Sequence, residues 1–287
     1  MPGFRLLACF AHPDDEAFPV GGALAAHAAR GVAVRLVTTT SGEAGDIRDP
    51  GSATPETLGS VRRSELARAA VALGLKEHTV LGYRDSGMPG APSNGHHRAF
   101  INAPEEAVVE QLVGEIRRFR PQVVLTFEPG GLYGHPDHIA ISRHTTEAFH
   151  RAADAAAFPH QLANGMKPHA AVRLFYSARP RGFRMDWALR LRAAEIDFPL
   201  PSPERAQEGT PLEEIHLAMD VADYLDSKLA CIHCHRTQVG PDWPYDKAPR
   251  EVTAYILGRE HYIRAFPPVG PGEAVPPDFF SGLAPQP

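Results

Sequence analysis

Residues 12–16, His-Pro-Asp-Asp-Glu, set a histidine and three consecutive acids directly after the apolar run FRLLACF at 4–10. Adjacent carboxylates repel, and a solvated surface has no need of them at the end of a buried strand. Pro13 holds His12 extended and suits the first turn of a helix, so the chain turns here. His12 and Asp15, three apart, can then point to one place while Asp14 projects elsewhere. An imidazole nitrogen and a carboxylate oxygen are both zinc ligands. A second cluster, Tyr-Gly-His-Pro-Asp-His at 133–138, repeats the histidine, proline and acid between a strand and a helix. It offers His135 or His138 as a third ligand. Two near ligands and one remote ligand leave a coordination position open to water, which is the catalytic pattern. Asp14, beside such an ion but not on it, could take a proton as general base. Each motif alone reads equally well as a helix entrance with a capping aspartate; the pair at two strand ends favours metal. Glu16 serves either the first-turn dipole or a ligand histidine from outside.

The elements that must position these residues alternate. Strands are expected over 4–10, 32–40, 78–83 and 122–129, with helices over 16–31, 58–75 and 105–120 and from about His138 onward. This βαβ spacing predicts an α/β fold, a Rossmann-like, mostly parallel sheet with helices on both faces. Ligands of such sheets bind outside the carboxyl ends of the strands, so the polar loops 11–16, 41–50 and 128–138 should converge. Beyond 156 the pattern loosens. Strands are expected at 172–178 and 214–221, an insertion with proline-rich ends at about 179–213, and a helix over 222–238. The reading is one α/β domain over 1–265, with a core at 1–156, and an extended Pro/Gly-rich tail over 266–287.

The 287 residues carry a formal net charge of -5, which offers no global basic field for nucleic acid or an anionic membrane. Cys9, Cys231 and Cys234 are too few for a disulfide framework. With no export signal and no apolar run of membrane-spanning length, a cytoplasmic protein is expected, with homo-oligomerisation left open.

The motifs AHPDDEAF (11–18) and GHPDH (134–138) resemble the two signatures of the zinc-dependent N-acetylglucosaminyl deacetylases of the LmbE/PIG-L type, which include deacetylases and amidases of mycothiol and bacillithiol metabolism. The likeness is strong over 4–150, and weaker at KLACIHCHRTQ (228–238) and REHYIRAF (259–266). It implies His12, Asp15 and His138 as metal ligands and Asp14 as general base. It also implies His135 as oxyanion stabiliser or proton donor, Asp137 as its orienting partner, and Tyr133 as a donor to the tetrahedral intermediate. Arg62, with Arg63 as competitor, and Asp85 of YRDSGM (83–88) would bind substrate; Glu43 of SGEAGD (41–46), His235 and Gln238 would border the pocket. Zinc is the implied cofactor, although nitrogen and oxygen ligands also admit ferrous iron. The implied reaction releases free amine and acetate from an N-acetylated small-molecule glycoside of GlcNAc, such as a malate or inositol glycoside.

Three rivals stand beside it. A thiol-conjugate amidase would use the same site on another amide. A dinucleotide-dependent oxidoreductase needs a glycine-rich turn after the first strand, where this chain has repelling acids. A non-catalytic zinc-binding domain would not need a free Asp14. The run CIHCH (231–235) fits the haem-attachment pattern, but five residues without an export signal carry little weight. Of the other histidines, His96, His97, His144, His150 and His169 read as surface or packing residues.

Overall fold

Leu6 to Phe10 of β1 (Arg5–Phe10) are all buried, as a central parallel strand covered on both faces requires. The computed structural model describes residues 1–270, 272–273 and 277–285. Its sheet continues with β2 (Ala33–Thr40), β3 (Glu77–Tyr83), β4 (Val123–Phe127), β5 (Arg173–Ala178), β6 (Leu217–Asp220) and β7 (Arg259–Phe266). The spatial order is β3-β2-β1-β4-β5-β7-β6. The first five strands of that order run parallel, and β7 and β6 pair antiparallel at one edge. The α/β expectation therefore holds, with a mixed edge. Helices Gly21–Ala29, Leu58–Ala72 and Leu225–Cys234 pack together, and Glu105–Phe119 packs with Pro136–Arg151.

This order positions the site. The chain leaves β1 toward β2 on one side, and β4 pairs with β1 on the other. The strand order reverses between β1 and β4, and a crevice opens beyond their carboxyl ends. The loops leaving these two strands carry the two histidine motifs.

Several expected boundaries move. The first helix starts at Gly21, not at 16, because residues 12–20 form bends and turns. The fourth long helix starts at Pro136, with His135 as its N-cap. The helix expected over 222–238 runs as Leu225–Cys234 and breaks at His235. The segment expected as an insertion contains the helix Phe183–Ala193. The described residues beyond 266 contain no helix or strand, yet Phe279 and Phe280 are fully buried.

One buried ion pair ties the antiparallel edge to the helix Leu225–Cys234, and its carboxylate also holds the start of the first helix. Lys228 Nζ lies 2.7 Å from Glu260 Oε1, with both side chains 1% exposed. Glu260 also accepts the N–H groups of Gly22 and Ala23, each at 2.8 Å, and the Tyr262 hydroxyl at 2.7 Å. Glu260→Ala strands a buried ammonium and two helix N–H groups, so a stability loss of about 3–5 kcal/mol is expected in urea unfolding. Adding Lys228→Met should restore much of it. A single-variant loss below about 1 kcal/mol would show the pair to be dispensable.

Candidate active site

His12, Asp15 and His138 meet at the β1/β4 crevice. His12 Nδ1 is 3.1 Å from His138 Nε2, and Asp15 Oδ1 is 3.2 Å from that same His138 nitrogen. Asp15 Oδ2 lies 3.5 Å from His12 Nδ1 and accepts the backbone N–H groups of Ala11 at 3.1 Å and His12 at 2.7 Å. The outer ring nitrogens fix the tautomers. His138 Nδ1 faces the Gly131 carbonyl at 3.2 Å, an acceptor only, so it carries the hydrogen. His12 Nε2 faces Asp137 Oδ2 at 3.1 Å and Asp85 Oδ1 at 3.4 Å, and carries its hydrogen for the same reason.

The inner atoms, His12 Nδ1, His138 Nε2 and Asp15 Oδ1, are turned toward one another, and each imidazole nitrogen among them offers a lone pair when its ring is neutral. Such a cluster needs a cation at its focus. The separations match the roughly 3.3 Å between ligand atoms around a tetrahedral ion with bonds of ~2.05 Å. The residues thus fit a divalent metal.

The electrostatics make the same demand. Burial works to lower His12, but Asp85, Asp137 and Asp15 lift it well above the usual imidazole value. Burial works to raise Asp15 and Asp85, but the facing histidines hold both below the usual carboxylate range. Acids outnumber bases, so the crevice draws in positive charge. Phe127, the last residue of β4, stacks on His138 at 4.2 Å between ring centroids and 12° between planes, which fixes the ring.

Asp14 stands apart. Its φ of 112° is a conformation that side-chain-bearing residues rarely adopt. Its N–H donates to Glu16 Oε2 at 3.0 Å, and its Oδ2 lies 3.3 Å from Arg62 Nη2. Burial lifts its carboxyl to about 6, against the pull of Arg62. It lines a cavity of about 780 Å³ that also reaches Tyr133.

The family described as "PIG-L: GlcNAc-PI de-N-acetylase" matches residues 7–149, which contain both motifs. The 1D-myo-inositol 2-acetamido-2-deoxy-alpha-D-glucopyranoside deacetylase of Acidothermus cellulolyticus is 36% identical over 294 residues, covering 97% of this chain and 94% of that protein. The protein of the same name from Thermomonospora curvata is 37% identical and is covered to 97%, as is this chain. The chain belongs to the PIG-L family. Among solved structures, the N,N'-diacetylchitobiose deacetylase of Pyrococcus horikoshii superposes with a TM-score of 0.64 at 20% identity, covering 91% of this chain and 83% of that one. At that identity the likeness concerns the fold.

As a PIG-L de-N-acetylase, the chain is an amide hydrolase, and the remaining expected residues take definite places around its crevice. His135 Nδ1 accepts the N–H of Asp137 at 3.2 Å, as the N-cap of the following helix. Burial, with His12 and His138 nearby, lowers it to about 4. The ring is thus neutral with its hydrogen on Nε2. Its nitrogens lie close enough to those of His12 and His138 to share an ion, but a protonated Nε2 is a donor, which favours His138 as the ligand. Tyr133 overhangs the site with its ring centroid 5.0 Å from that of His138, and burial with Asp15 nearby raises its hydroxyl, which stays a donor.

Asp137 departs from its expected task. Its carboxylate faces His12, not His135, and it is its backbone N–H that orients His135. Asp85 is 3% exposed and accepts the N–H groups of Gly87 at 2.8 Å and Ala44 at 3.2 Å while facing His12, so it joins the loops to the cluster. Glu43 in turn accepts the Asp85 N–H at 3.1 Å. Arg62 is 3% exposed and donates to the Gly42 and Pro13 carbonyls as well as facing Asp14. Arg63 bonds Ser41 on an exposed helix face. Gln238 lines the cavity and donates to the Asp46 carbonyl at 2.9 Å. His235 is fully buried and pairs with Glu16, with Cys231 Sγ 3.8 Å from the same carboxylate oxygen, so CIHCH faces the underside of the first motif.

Sequence reasoning did not find Arg179. It lines the cavity, and its only signal is its position just after β5. Because Asp137 holds His12 from outside, Asp137→Ala should weaken metal affinity about 10–100-fold. Competition against a chelator of known affinity measures this, and unchanged affinity would mean that Asp85 alone orients the ring.

Proposed function

We propose that this chain hydrolyses the N-acetyl group of a GlcNAc-type glycoside, using one divalent metal held by His12, Asp15 and His138 and with Asp14 as general base. The observation that carries the reading is the convergence of two imidazole nitrogens and a carboxylate oxygen beside a strained aspartate on a cavity wall. Zinc suits two imidazoles and a carboxylate, and ferrous iron is the competing ion. When bound, such an ion supplies Lewis acidity, which lowers the pKa of water and polarises an amide carbonyl.

The chain's own residues do the rest. Asp14 takes a proton from the attacking water as its oxygen bonds to the acetamide carbon. The hydroxyl of Tyr133 and the Nε2–H of His135 donate to the oxygen that becomes negative. A neutral imidazole is a poor proton donor to an amine. Asp14, protonated in the first half, returns its proton to nitrogen. The C–N bond then breaks, leaving acetate and a free amine. Arg62 acts at one remove, by holding Asp14 and the Gly42 turn.

The relatives' names make the 1D-myo-inositol glycoside the reference substrate. The test is amine release from that glycoside, from GlcNAc glycosides with other aglycones and from thiol-conjugate amides, with metal content measured on the same samples. Stoichiometric zinc or iron with release of one amine per acetate supports the reading. Turnover that survives complete metal removal would overturn it, and hydrolysis of thiol conjugates alone would make the chain an amidase.

A further inference from the structure

The run CIHCH takes no part in the proposed reaction, yet two of its side chains turn to one acid. Cys231, His235 and Glu16 are all fully buried. Cys231 and His235 are four residues apart, which puts them on one face at the end of the helix Leu225–Cys234. Both reach Glu16 Oε1, the sulfur at 3.8 Å and His235 Nε2 at 2.5 Å. Among the described residues His235 Nδ1 has no partner, so the ring's one hydrogen bond is the one to Glu16. A buried nitrogen left unpaired carries a penalty that an apolar side chain of similar size avoids. Packing alone therefore does not account for a histidine here.

The other oxygen of the same carboxylate faces the reaction. Glu16 Oε2 accepts the Asp14 N–H at 3.0 Å. That N–H belongs to the residue whose φ is 112°, a conformation that persists only where contacts over-determine it. Two residues after His235, Thr237 donates its N–H and its hydroxyl to Glu65 at 2.8 Å and 2.6 Å. Glu65 lies on the helix Leu58–Ala72, one turn after Arg62. Arg62 in turn faces Asp14 Oδ2 at 3.3 Å and donates to the Pro13 carbonyl at 2.5 Å. The chain at 235–237, where the helix Leu225–Cys234 breaks, thus reaches Asp14 by two routes, one to its backbone and one to its side chain.

Glu16, His235 and Thr237 do not line the cavity, so any influence they have on the reaction passes through other residues and not through contact with substrate. None of their side-chain hydrogen bonds reaches His12, Asp15 or His138. The path from His235 leads to the base and bypasses the ligands.

We propose that His235 is a positioning residue for the reaction: by fixing one oxygen of Glu16 it holds the other on the Asp14 N–H, and so keeps the Asp14 carboxylate where it can take a proton from water. Cys231 is a weaker second donor to the same oxygen. This rests on the reading above of Asp14 as general base. A base displaced by about 1 Å can cost ~100-fold in rate while the bound substrate keeps its contacts. Loss of His235 therefore acts on kcat and leaves KM and the metal in place.

The experiment compares two amides at this position, each with metal content, kcat and KM measured on the inositol glycoside. The amide nitrogen of His235→Gln stands near the place of Nε2 and can donate to Glu16, whereas that of His235→Asn stands near Nδ1 and falls short. His235→Asn should keep its metal and a KM within about twofold, and lose kcat by about 10–100-fold. His235→Gln should recover most of that loss. With Asp14→Asn already present, adding His235→Asn should cost less than about twofold, because no base remains to be positioned. If His235→Asn does not fold, His235→Phe takes its place, keeping a ring without a donor. Unchanged kcat in the donor-less variant, an equal loss with and without Asp14, or a folded His235→Gln that loses as much as His235→Asn overturns the inference alone. Full turnover in Asp14→Asn removes the base on which it rests, and no amine release by the unaltered protein overturns the deacetylase reading itself.

Discussion

Asp14→Asn should keep its metal and lose turnover by about 10²–10⁴, the range for a positioned general base. The geometry separates the two properties. Asp14 contributes nothing to the three converging atoms of His12, Asp15 and His138. Its side chain is 22% exposed where that of Asp15 is 9% exposed, so Asp14 is the acid of this motif that reaches the cavity. Its φ of 112° carries a strain of about 1–3 kcal/mol, which surrounding contacts must over-determine. Those contacts are the Glu16 carboxylate on its N–H, the Ala17 N–H on its carbonyl at 2.9 Å, and Arg62 on its side chain. Asparagine keeps the shape and the bonds but cannot take a proton. Metal analysis and steady-state rates on one preparation check the outcome. A variant that sheds its metal would place Asp14 among the ligands, and one that keeps full turnover would move the base elsewhere.

His138→Ala gives the converse pattern: metal and turnover vanish together while the sheet stays folded. In the proposed metal site, His138 is the one ligand that comes from β4's side of the crevice. Removing it leaves two donors from a single turn, and the loss in affinity should exceed the roughly 10–100-fold effect expected of an outer partner such as Asp137. A thermodynamic readout goes with it. An ion that binds only the folded chain stabilises it by about 4 kcal/mol when present at 1,000 times its dissociation constant. Unfolding of the unaltered protein should therefore shift with added zinc, and that of the variant should not. Equal metal-induced shifts in both proteins would place the ion at another group, such as Glu16, Cys231 and His235.

The parts of this site that sequence reading reached are those written within one turn. His12, Asp14 and Asp15 are neighbours, and their spacing separates the two side chains that meet His138 from the one that lines the cavity. The parallel strands were legible because β1 and β4 are buried along nearly their whole length. The first helix was placed too early for a reason set by the site. Asp15 bends back onto the N–H groups of Ala11 and His12, and Glu16 turns inward to His235, so residues that look like a helix entrance hold loops instead. Asp137 was paired with its neighbour His135, whereas its partner His12 lies on a different strand end. The antiparallel edge was hidden because β7 inverts the usual pattern. Its fully buried side chains are Glu260, Tyr262 and Arg264, so no apolar alternation announces it.

Phe279 lies against Phe175 at 4.8 Å and Tyr262 at 4.7 Å between ring centroids and stacks on His27 at 5.0 Å, while Phe280 meets Phe4 at 4.9 Å. Phe4 and His27 therefore wait for partners synthesised long after them. During synthesis this patch of the interior stays open until residue 280 has cleared the ribosome, whatever follows it. Until then the nascent protein exposes an aromatic surface, the kind of surface that makes folding intermediates prone to aggregate.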